Sequence, residues 1–291
     1  MADIKENAMN KIITCVDGSA IRHAVTDAAI WASKKLNKPI CLVHTLEKQL
    51  EQRAGDYTGT IGFGAQSLLL DEMTKLDEQR AKVSLKLADE LLNSLSEQVK
   101  NAGLNHVELI KRHGDIYDAV IDYKADTRLI VIGRCGMGHS QNMSALGSHT
   151  ETLVRSFAAP ILMLPTTFNT PKSFMIAYDG RETADKALKQ VIDGGLLHGL
   201  HCHLVSIKNN QSDLNEKFKN AQQMLKSKGF DVTANFLEGD IFHSLMQYQK
   251  QNNIDLIVMG AFAHSKLRQF FVGSNTIKML ENSNVPVVVL K

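Results

Sequence analysis

The segment KIITCVDGS at residues 11–19 recurs in diverged form as SFMIAYDGR at residues 173–181, 162 positions further along the chain. In both copies an apolar run ends in an Asp-Gly pair, which aligns Asp17 with Asp179. Short apolar runs bounded by turn residues are typical of buried β-strands. The sequence therefore contains the start of one structural unit twice, and the search for further repeats decides the fold.

Other matching segments follow in the same order in both halves. PICLVHT matches HCHLVSI at the same offset of 162, and later pairs match at offsets of 125 to 127. These later pairs are HGDI at 113–116 with EGDI at 238–241, LIVIG at 129–133 with LIVMG at 256–260, Gly147-Ser148 with Gly273-Ser274, and API at 159–161 with VPV at 285–287. The segment PTTFNTP at 165–171 has two prolines and no apolar period, as expected of a linker. We therefore predict two domains, at 1–165 and 171–291.

The drop in offset indicates about 36 extra residues in the first copy, within about 47–101. This insert opens with a Gly-rich stretch at 55–64. It continues with apolar residues at helical spacing, namely Leu76, Val83, Leu87, Leu91, Leu95 and Val99. The pattern predicts a mobile loop that leads into a long amphipathic helix.

Strand-like and helix-like segments alternate in each copy, five strands to a copy. Such alternation is typical of a parallel sheet with helices on both faces. We predict an α/β fold of two tandem, doubly wound, five-stranded parallel sheets. In sheets of this kind a ligand binds beyond the carboxyl ends of the strands.

Composition excludes several functional classes. With 33 basic and 31 acidic residues, the net charge of +2 is too small to favour nucleic-acid binding. The longest apolar runs fall far short of the roughly 20 residues that span a bilayer. The charged start MADIKENAMNK does not resemble a secretory signal, so we expect a cytoplasmic protein. Three of the four cysteines lie in apolar runs, which favours buried, reduced thiols over a redox role.

Residues that follow the strands are the candidates for ligand contacts. In the first copy they are Asp17, Thr45 and the loop from Gly133 to Ser148; in the second they are Asp179, Ile207 and the loop from Gly260 to Ser274. Glycines allow close approach of the backbone to phosphate, and a helix start rich in Ser and Thr offers donors and a positive dipole end. We expect a phosphate to be held by such donors rather than by a lysine.

At these loops the chain resembles the universal stress protein family in its tandem arrangement. That family has an Asp after its first strand and the pattern G-x2-G-x9-G-[S/T] after its fourth. The resemblance implies the strand order 3-2-1-4-5 in each unit, in a fold like that of the nucleotide-binding adenine alpha hydrolases. It also implies binding of ATP or AMP, with or without Mg²⁺, and pairing of the two units across their fifth strands as a pseudo-dimer.

The same resemblance assigns roles to individual residues. Asp17 and Asp179 would contact the adenine or ribose side, and Thr45 or Ile207 would meet the base through the main chain, with Val16 beside them. The phosphate-binding residues would be Gly133, Arg134, Gly136, Gly147 and Ser148 in the first copy, and Gly260, Ala263, Gly273, Ser274 and Asn275 in the second. Two departures bear on this assignment: ten residues instead of nine precede Gly147, and Ala263 replaces a glycine.

Other chemical sites are disfavoured. The sequence lacks the GxGxxG context of a dinucleotide fold, the GxxxxGK[ST] of a P-loop and the HIGH and SGGxDS signatures of adenylylating enzymes. His139 and His264 recur at equivalent places in the two loops and are interpreted as solvated. His201 and His203 lack a third zinc ligand nearby. Asp115 and Asp240 are expected to cap helices, and Cys135 is the one thiol expected near the surface.

Three functional hypotheses remain open. The first is a stress-response sensor or regulatory protein that binds an adenine nucleotide in at least one unit. The second is a nucleotide-free protein that acts through its surface, with the insert as the site for an unknown protein partner. The third is a weak ATPase, although no catalytic residue is assigned. A homodimer is compatible with all three.

Overall fold

A computed structural model describes residues 11–46, 63–134, 148–208, 213–260 and 274–290. Strands and helices alternate in the first half of the chain, as the apolar runs predict. Its elements are β1 (Lys11–Cys15), α1 (Arg22–Leu36), β2 (Ile40–Leu46), α2 (Phe63–Asn101), β3 (Val107–His113), α3 (Ile116–Ile121), a 3-10 turn (Lys124–Asp126), β4 (Thr127–Gly133), α4 (Ser148–Ser156) and β5 (Ile161–Leu164).

The second half repeats this order, with a helix of 14 residues in place of the 39-residue α2 and without the 3-10 turn. Its elements are β6 (Ser173–Ala177), α5 (Glu182–Gly194), β7 (His201–Ile207), α6 (Leu214–Ser227), β8 (Val232–Leu237), α7 (Ile241–Gln251), β9 (Ile257–Gly260), α8 (Ser274–Asn282) and β10 (Val287–Leu290). The predicted α/β class and the duplication are thereby confirmed.

Each unit has the strand order 3-2-1-4-5 with parallel neighbours, and the two sheets meet along their fifth strands. The full order is β3-β2-β1-β4-β5-β10-β9-β6-β7-β8, a continuous sheet of ten strands. β5 and β10 are antiparallel, with Leu162 opposite Val288. These two residues are equivalent in the repeat, so an approximate two-fold axis passes between them. The expected pairing of the units across their fifth strands is present within the chain.

Alternation of apolar side chains along the strands builds a core on each face of the sheet. Ile12 and Leu42 belong to the core beneath α1, α2, α5 and α6. Ile13 and Val43 belong to the core beneath α3, α4, α7 and α8. The linker joins the first of these, where the ring of Phe168 lies 5.8 Å from that of Trp31.

The short helices after the two GD turns begin at the predicted caps. The carboxylate of Asp115 accepts a hydrogen bond from the Tyr117 amide at 2.6 Å. That of Asp240 accepts one from the His243 amide at 3.0 Å. Each carboxylate satisfies an amide that lacks a partner within its helix, so the prediction of capping is confirmed.

The insert forms one helix of 39 residues, which packs on the protein from Ala88 onward, whereas residues 71–84 are exposed. Leu95 and Val99 are fully buried against the core, as predicted. Leu76, Val83 and Leu87, expected on the same apolar face, are instead exposed. The predicted Gly-rich loop lies mostly outside the described residues, because description of the insert resumes at residue 63.

Candidate functional site

The register of the strands gathers the predicted residues of the first unit at one edge of the sheet. Cys15 at the end of β1 is level with Val43 of β2 and with Ile132 of β4. Extending both registers by one residue places Val16 level with Gly133, and a further step places Asp17 level with Thr45. Because β1 lies between β2 and β4, these residues surround one crevice at the carboxyl edge.

The turn after β1 is held by its own polar groups. Asp17 Oδ1 accepts hydrogen bonds from the Ser19 amide at 3.0 Å and from the Ser19 hydroxyl. Arg22 donates to the carbonyls of Gly18 and Ser19 at 3.1 and 3.0 Å. His44 is buried on β2, and its Nδ1 lies 2.9 Å from the Val16 carbonyl. The main chain from Val16 to Ser19 is therefore fixed from both sides.

The second unit repeats this arrangement around Asp179. Extending its two registers by two residues places Asp179 level with Ile207 and Tyr178 level with Gly260. Asp179 accepts from the Arg181 amide at 3.1 Å, and the Arg181 guanidinium lies 3.5 Å from its other oxygen. Gly180 between them has a φ of 75°, a left-handed conformation in which a Cβ would be strained. The Asp carboxylate thus accepts from the amide two residues further on in both units, whereas Gly18 does not share the positive φ of Gly180.

A helix begins beside each strand-end glycine, on the far side of the predicted loop. The Thr150 hydroxyl on α4 lies 3.4 Å from the Gly133 carbonyl, and that of Thr276 on α8 lies 3.4 Å from the Gly260 carbonyl. Both threonines are buried. These contacts hold the positive ends of two nine-residue helices at the carboxyl edge of the sheet. The arrangement suits an anionic group at each crevice.

Arg134 is a predicted phosphate contact, but its guanidinium binds the other unit instead. Its Nη1 donates to the carbonyls of Glu281 and Ser283, both at 2.9 Å, at the end of α8 in the other unit. The side chain is 6% exposed. The cation is therefore committed to a helix C-terminus, where positive charge is favoured, while its amide donates to Leu164 at 2.8 Å.

Several predicted residues lie outside the described part of the chain. Gly136, Gly147, Ala263 and Gly273 belong to this group, as do His139, His264 and Cys135. Ser148 and Ser274 are described only as the first residues of α4 and α8. Asn275 follows Ser274 and is partly buried.

Two residues at the second crevice are absent from the sequence predictions. Tyr178 occupies the position equivalent to Val16 and is buried, with its hydroxyl 2.6 Å from Asp185. Burial and this hydrogen bond raise the pKa of Tyr178 above its usual value. Lys217 on α6 donates to the Gly180 carbonyl at 3.1 Å and pairs with Asp213 at 2.9 Å. Tyr178 could have been found from the alignment of the repeats, because it aligns with Val16. Lys217 reaches the crevice only through the packing of α6, which the sequence pattern does not show.

The three described cysteines agree with the interpretation as buried thiols. Cys15, Cys41 and Cys202 are buried and unpaired, and burial raises the pKa of Cys41 and of Cys202 to about 12. His201 pairs with Asp231 at 2.7 Å. Among the described residues, no group of three or more His, Cys, Asp or Glu side chains is arranged to hold a metal. Over the same residues, no helix is both long and apolar enough to cross a bilayer.

The fold defines a tandem, doubly wound α/β protein with one crevice at the carboxyl edge of each unit. A model of the Universal stress protein family matches the chain twice, over residues 9–165 and 171–291. The chain therefore belongs to the universal stress protein family, with one family unit in each half.

Individual relatives and solved structures are similar to this chain over most or part of its length. Universal stress protein Slr1230 of Synechocystis sp. is 28% identical over 287 residues, covering 97% of this chain and all of that protein. A solved universal stress protein from Archaeoglobus fulgidus matches with a TM-score of 0.70 at 18% identity, covering 97% of this chain and 98% of that one. A solved universal stress protein in complex with cAMP covers 42% of this chain and 97% of its own, at 15% identity and a TM-score of 0.36.

Proposed function

We propose that this protein binds an adenine nucleotide, ATP or AMP, in at least one of its two units and acts as a cytoplasmic sensor or regulatory protein in stress response. The observation that carries the proposal is that three structural features meet at the carboxyl edge of the sheet in each unit. An Asp-Gly turn, the end of the neighbouring strand and a strand-end glycine tied to a helix start all meet there. Membership of the universal stress protein family supports the same reading.

The residues present fit a nucleotide in a particular orientation. The amides at the starts of α4 and α8 are the donors proposed for the phosphates, because an anion is favoured at a helix N-terminus. The turns at Asp17 and Asp179 and the strand ends at Thr45 and Ile207 are proposed for the adenosine side. Arg134 contributes through its main chain alone, since its guanidinium holds the other unit. Any Mg²⁺ is proposed to enter with the phosphates.

The second crevice can be tested by adding one methyl group. A Cβ on Gly260 would lie 3.8 Å from the Thr183 carbonyl and 3.9 Å from the Ala187 side chain, which is ordinary contact. Gly260→Ala is therefore compatible with the fold and crowds only a ligand that approaches the strand end. Gly194→Ala is the matched control, since its Cβ would lie 3.8 Å from Arg128 Nη2, far from the carboxyl edge.

The experiment is a calorimetric titration of both variants and the parent protein with ATP and AMP, with and without Mg²⁺. If the second unit binds, we expect Gly260→Ala to raise the dissociation constant about tenfold or more, equivalent to about 1.4 kcal/mol, and Gly194→Ala to leave it unchanged. If the first unit alone binds, both variants bind like the parent. Absence of heat and of bound nucleotide for the parent at millimolar ligand would contradict the proposal.

A second candidate function is favoured by the exposed segment of α2 at residues 71–87. Its apolar side chains have no covering element among the described residues, as expected of an interaction surface. A protein that acts through this surface alone would show no nucleotide binding in the titration above. We propose no catalytic residue for the third hypothesis, slow ATP hydrolysis.

A further inference from the structure

Exposed apolar side chains form a regular stripe along the first half of α2. Met73, Leu76, Val83 and Leu87 are 40%, 51%, 59% and 59% exposed. With Arg80 they are spaced by three, four, three and four residues, which is the heptad spacing of a helix that packs along another helix. Met73 to Leu87 is named here the α2 stripe. Four of the seven large apolar residues exposed in the described part of the chain belong to it.

The α2 stripe faces away from the body of its own protein. Ala88, next to Leu87, is 2% exposed and packs inward together with Leu92 and Leu95. Adjacent residues of an α-helix point about 100° apart. Leu87 therefore points to solvent although the next residue, Ala88, points into the core. The side of α2 that faces the protein is the one that carries Ala88, and the stripe lies on a different side. The described part of the protein therefore cannot cover the stripe by a small shift of α2.

Acidic side chains are concentrated in the first part of the segment 71–87 and basic side chains in its second part. Residues 71–79 contain four acidic side chains and one lysine, for a net charge of −3. Residues 80–86 contain Arg80, Lys82 and Lys86 and no acidic side chain, for a net charge of +3. A parallel copy would align like charges, which repel. An antiparallel copy aligns the acidic part of each helix with the basic part of the other.

We propose that the α2 stripe binds a second copy of this chain, with the two α2 helices antiparallel and a two-fold axis near Gln79. Residues 71–87 span roughly 25 Å of helix, so apolar contacts extend on both sides of the axis. Arg80 lies in the middle of the stripe, where a single polar residue fixes the register of paired helices. Glu72 of one copy faces Lys86 of the other.

Existing ion pairs leave these charges available to a second copy. Arg80 lies 3.7 Å from Asp77, and Lys86 lies 4.0 Å from Glu90, and all four side chains are more than 60% exposed. Exposed pairs of this kind contribute little and exchange readily. The proposed interface does not depend on nucleotide binding, because none of its residues lies at the strand-edge crevices.

The first test is sedimentation analysis of the full-length chain over a range of protein concentrations. We expect the mass to rise from 32.2 kDa to twice that value between about 1 and 100 µM, the range of a modest helix interface. Raising the salt from about 0.1 to 0.5 M should increase the dissociation constant several-fold through screening. Leu76→Glu with Val83→Glu should abolish the dimer, while Met224→Glu, at a site on α6 that is 41% exposed, should preserve it.

The second test determines the relative orientation of the two α2 helices from disulfide cross-links. Each variant carries one introduced cysteine, and Cys135 is replaced by serine. Gln79→Cys lies at the proposed axis, so it should form a disulfide-linked dimer under mild oxidation. Glu72→Cys and Lys86→Cys should each fail to cross-link with themselves and should cross-link when mixed. A chain that stays monomeric throughout, a dimer unaffected by the two glutamates, or self-linking of Glu72→Cys would each overturn the proposal.

Discussion

Arg134 at the end of β4 donates a hydrogen bond from Nη1 to the Ser283 carbonyl at 2.9 Å, joining the first unit to the end of α8 in the second. The same nitrogen lies 2.9 Å from the Glu281 carbonyl. The equivalent residue in the second unit is Ala261, which has no donor on its side chain. The two units are therefore joined by a polar contact that the approximate two-fold symmetry does not repeat.

Removal of the Arg134 guanidinium should destabilise the protein. Arg134→Met keeps the aliphatic stem but deprives two carbonyls of a charged donor, so we expect a loss of roughly 2–4 kcal/mol in unfolding free energy. Urea unfolding followed by circular dichroism measures this loss. The control is Arg112→Met, whose exposed pair with Asp122 should contribute less than about 1 kcal/mol. Equal effects of the two substitutions would contradict the assigned role of Arg134.

The two halves of α2 should respond differently to truncation. Leu95 is fully buried, so Leu95→Ala should cost about 2–5 kcal/mol through lost burial and an unfilled cavity. Leu76 is half exposed, so Leu76→Ala should change stability by less than about 0.5 kcal/mol. Thermal unfolding at low protein concentration compares the two without self-association. Similar losses at both positions would mean that the first half of α2 packs on its own protein.

Stability should fall as the solution becomes acidic, in part because of His203. Burial, and next the neighbouring His201, lower the pKa of His203 below its ordinary value of 6.5, while Asp231 acts in the opposite direction. The ring contacts the Tyr248 hydroxyl at 3.1 Å, and Asn235 donates to that hydroxyl at 2.7 Å. The unfolded chain binds a proton more readily at this histidine than the folded chain does. Its contribution is therefore complete above pH 6.5 and is lost as the pH falls through the lower folded-state pKa.

The measurement for His203 is a series of unfolding experiments from about pH 7.5 to 5.0. His203→Gln should reduce the loss of stability over this range relative to the parent protein. His106→Gln serves as the control, because that side chain is exposed. An identical pH dependence in the parent and in His203→Gln would show that this histidine does not contribute.

The two turn aspartates should report which unit binds nucleotide. Asp17→Asn retains an oxygen that can accept from the Ser19 amide but removes the negative charge, and Asp179→Asn does the same beside Arg181. The substitution in a binding unit should weaken ATP about tenfold, or about 1.4 kcal/mol, with thermal stability nearly unchanged. Calorimetry gives both affinities. Unaltered affinity in both variants would contradict a role for these carboxylates.

Most of the fold follows from the repeat and from apolar periodicity. Asp17 and Asp179 could be aligned from the sequence because each follows an apolar strand, and each carboxylate accepts from the amide two residues further on. The parallel register then brings Thr45 and Ile207 beside them. These relationships are local or fixed by strand order, which is why the sequence predicts them.

Contacts between elements that lie far apart along the chain could not be predicted from the sequence. Arg134 lies in a loop that resembles a phosphate site, yet the approach of α8 from the other unit determines its direction. The periodicity of α2 predicts a helix but does not show where the helix leaves the protein surface. For this reason Leu76 and Leu95 share one predicted apolar face and have opposite environments.

Nucleotide binding at the paired crevices is tested most directly by native mass spectrometry of the freshly purified full-length chain, before and after addition of ATP. We expect a mass increment equal to one or two adenine nucleotides, which changes to the increment of the competitor when excess AMP or an ATP analogue is added. A spectrum of the bare chain alone, even at millimolar ATP, would contradict the account.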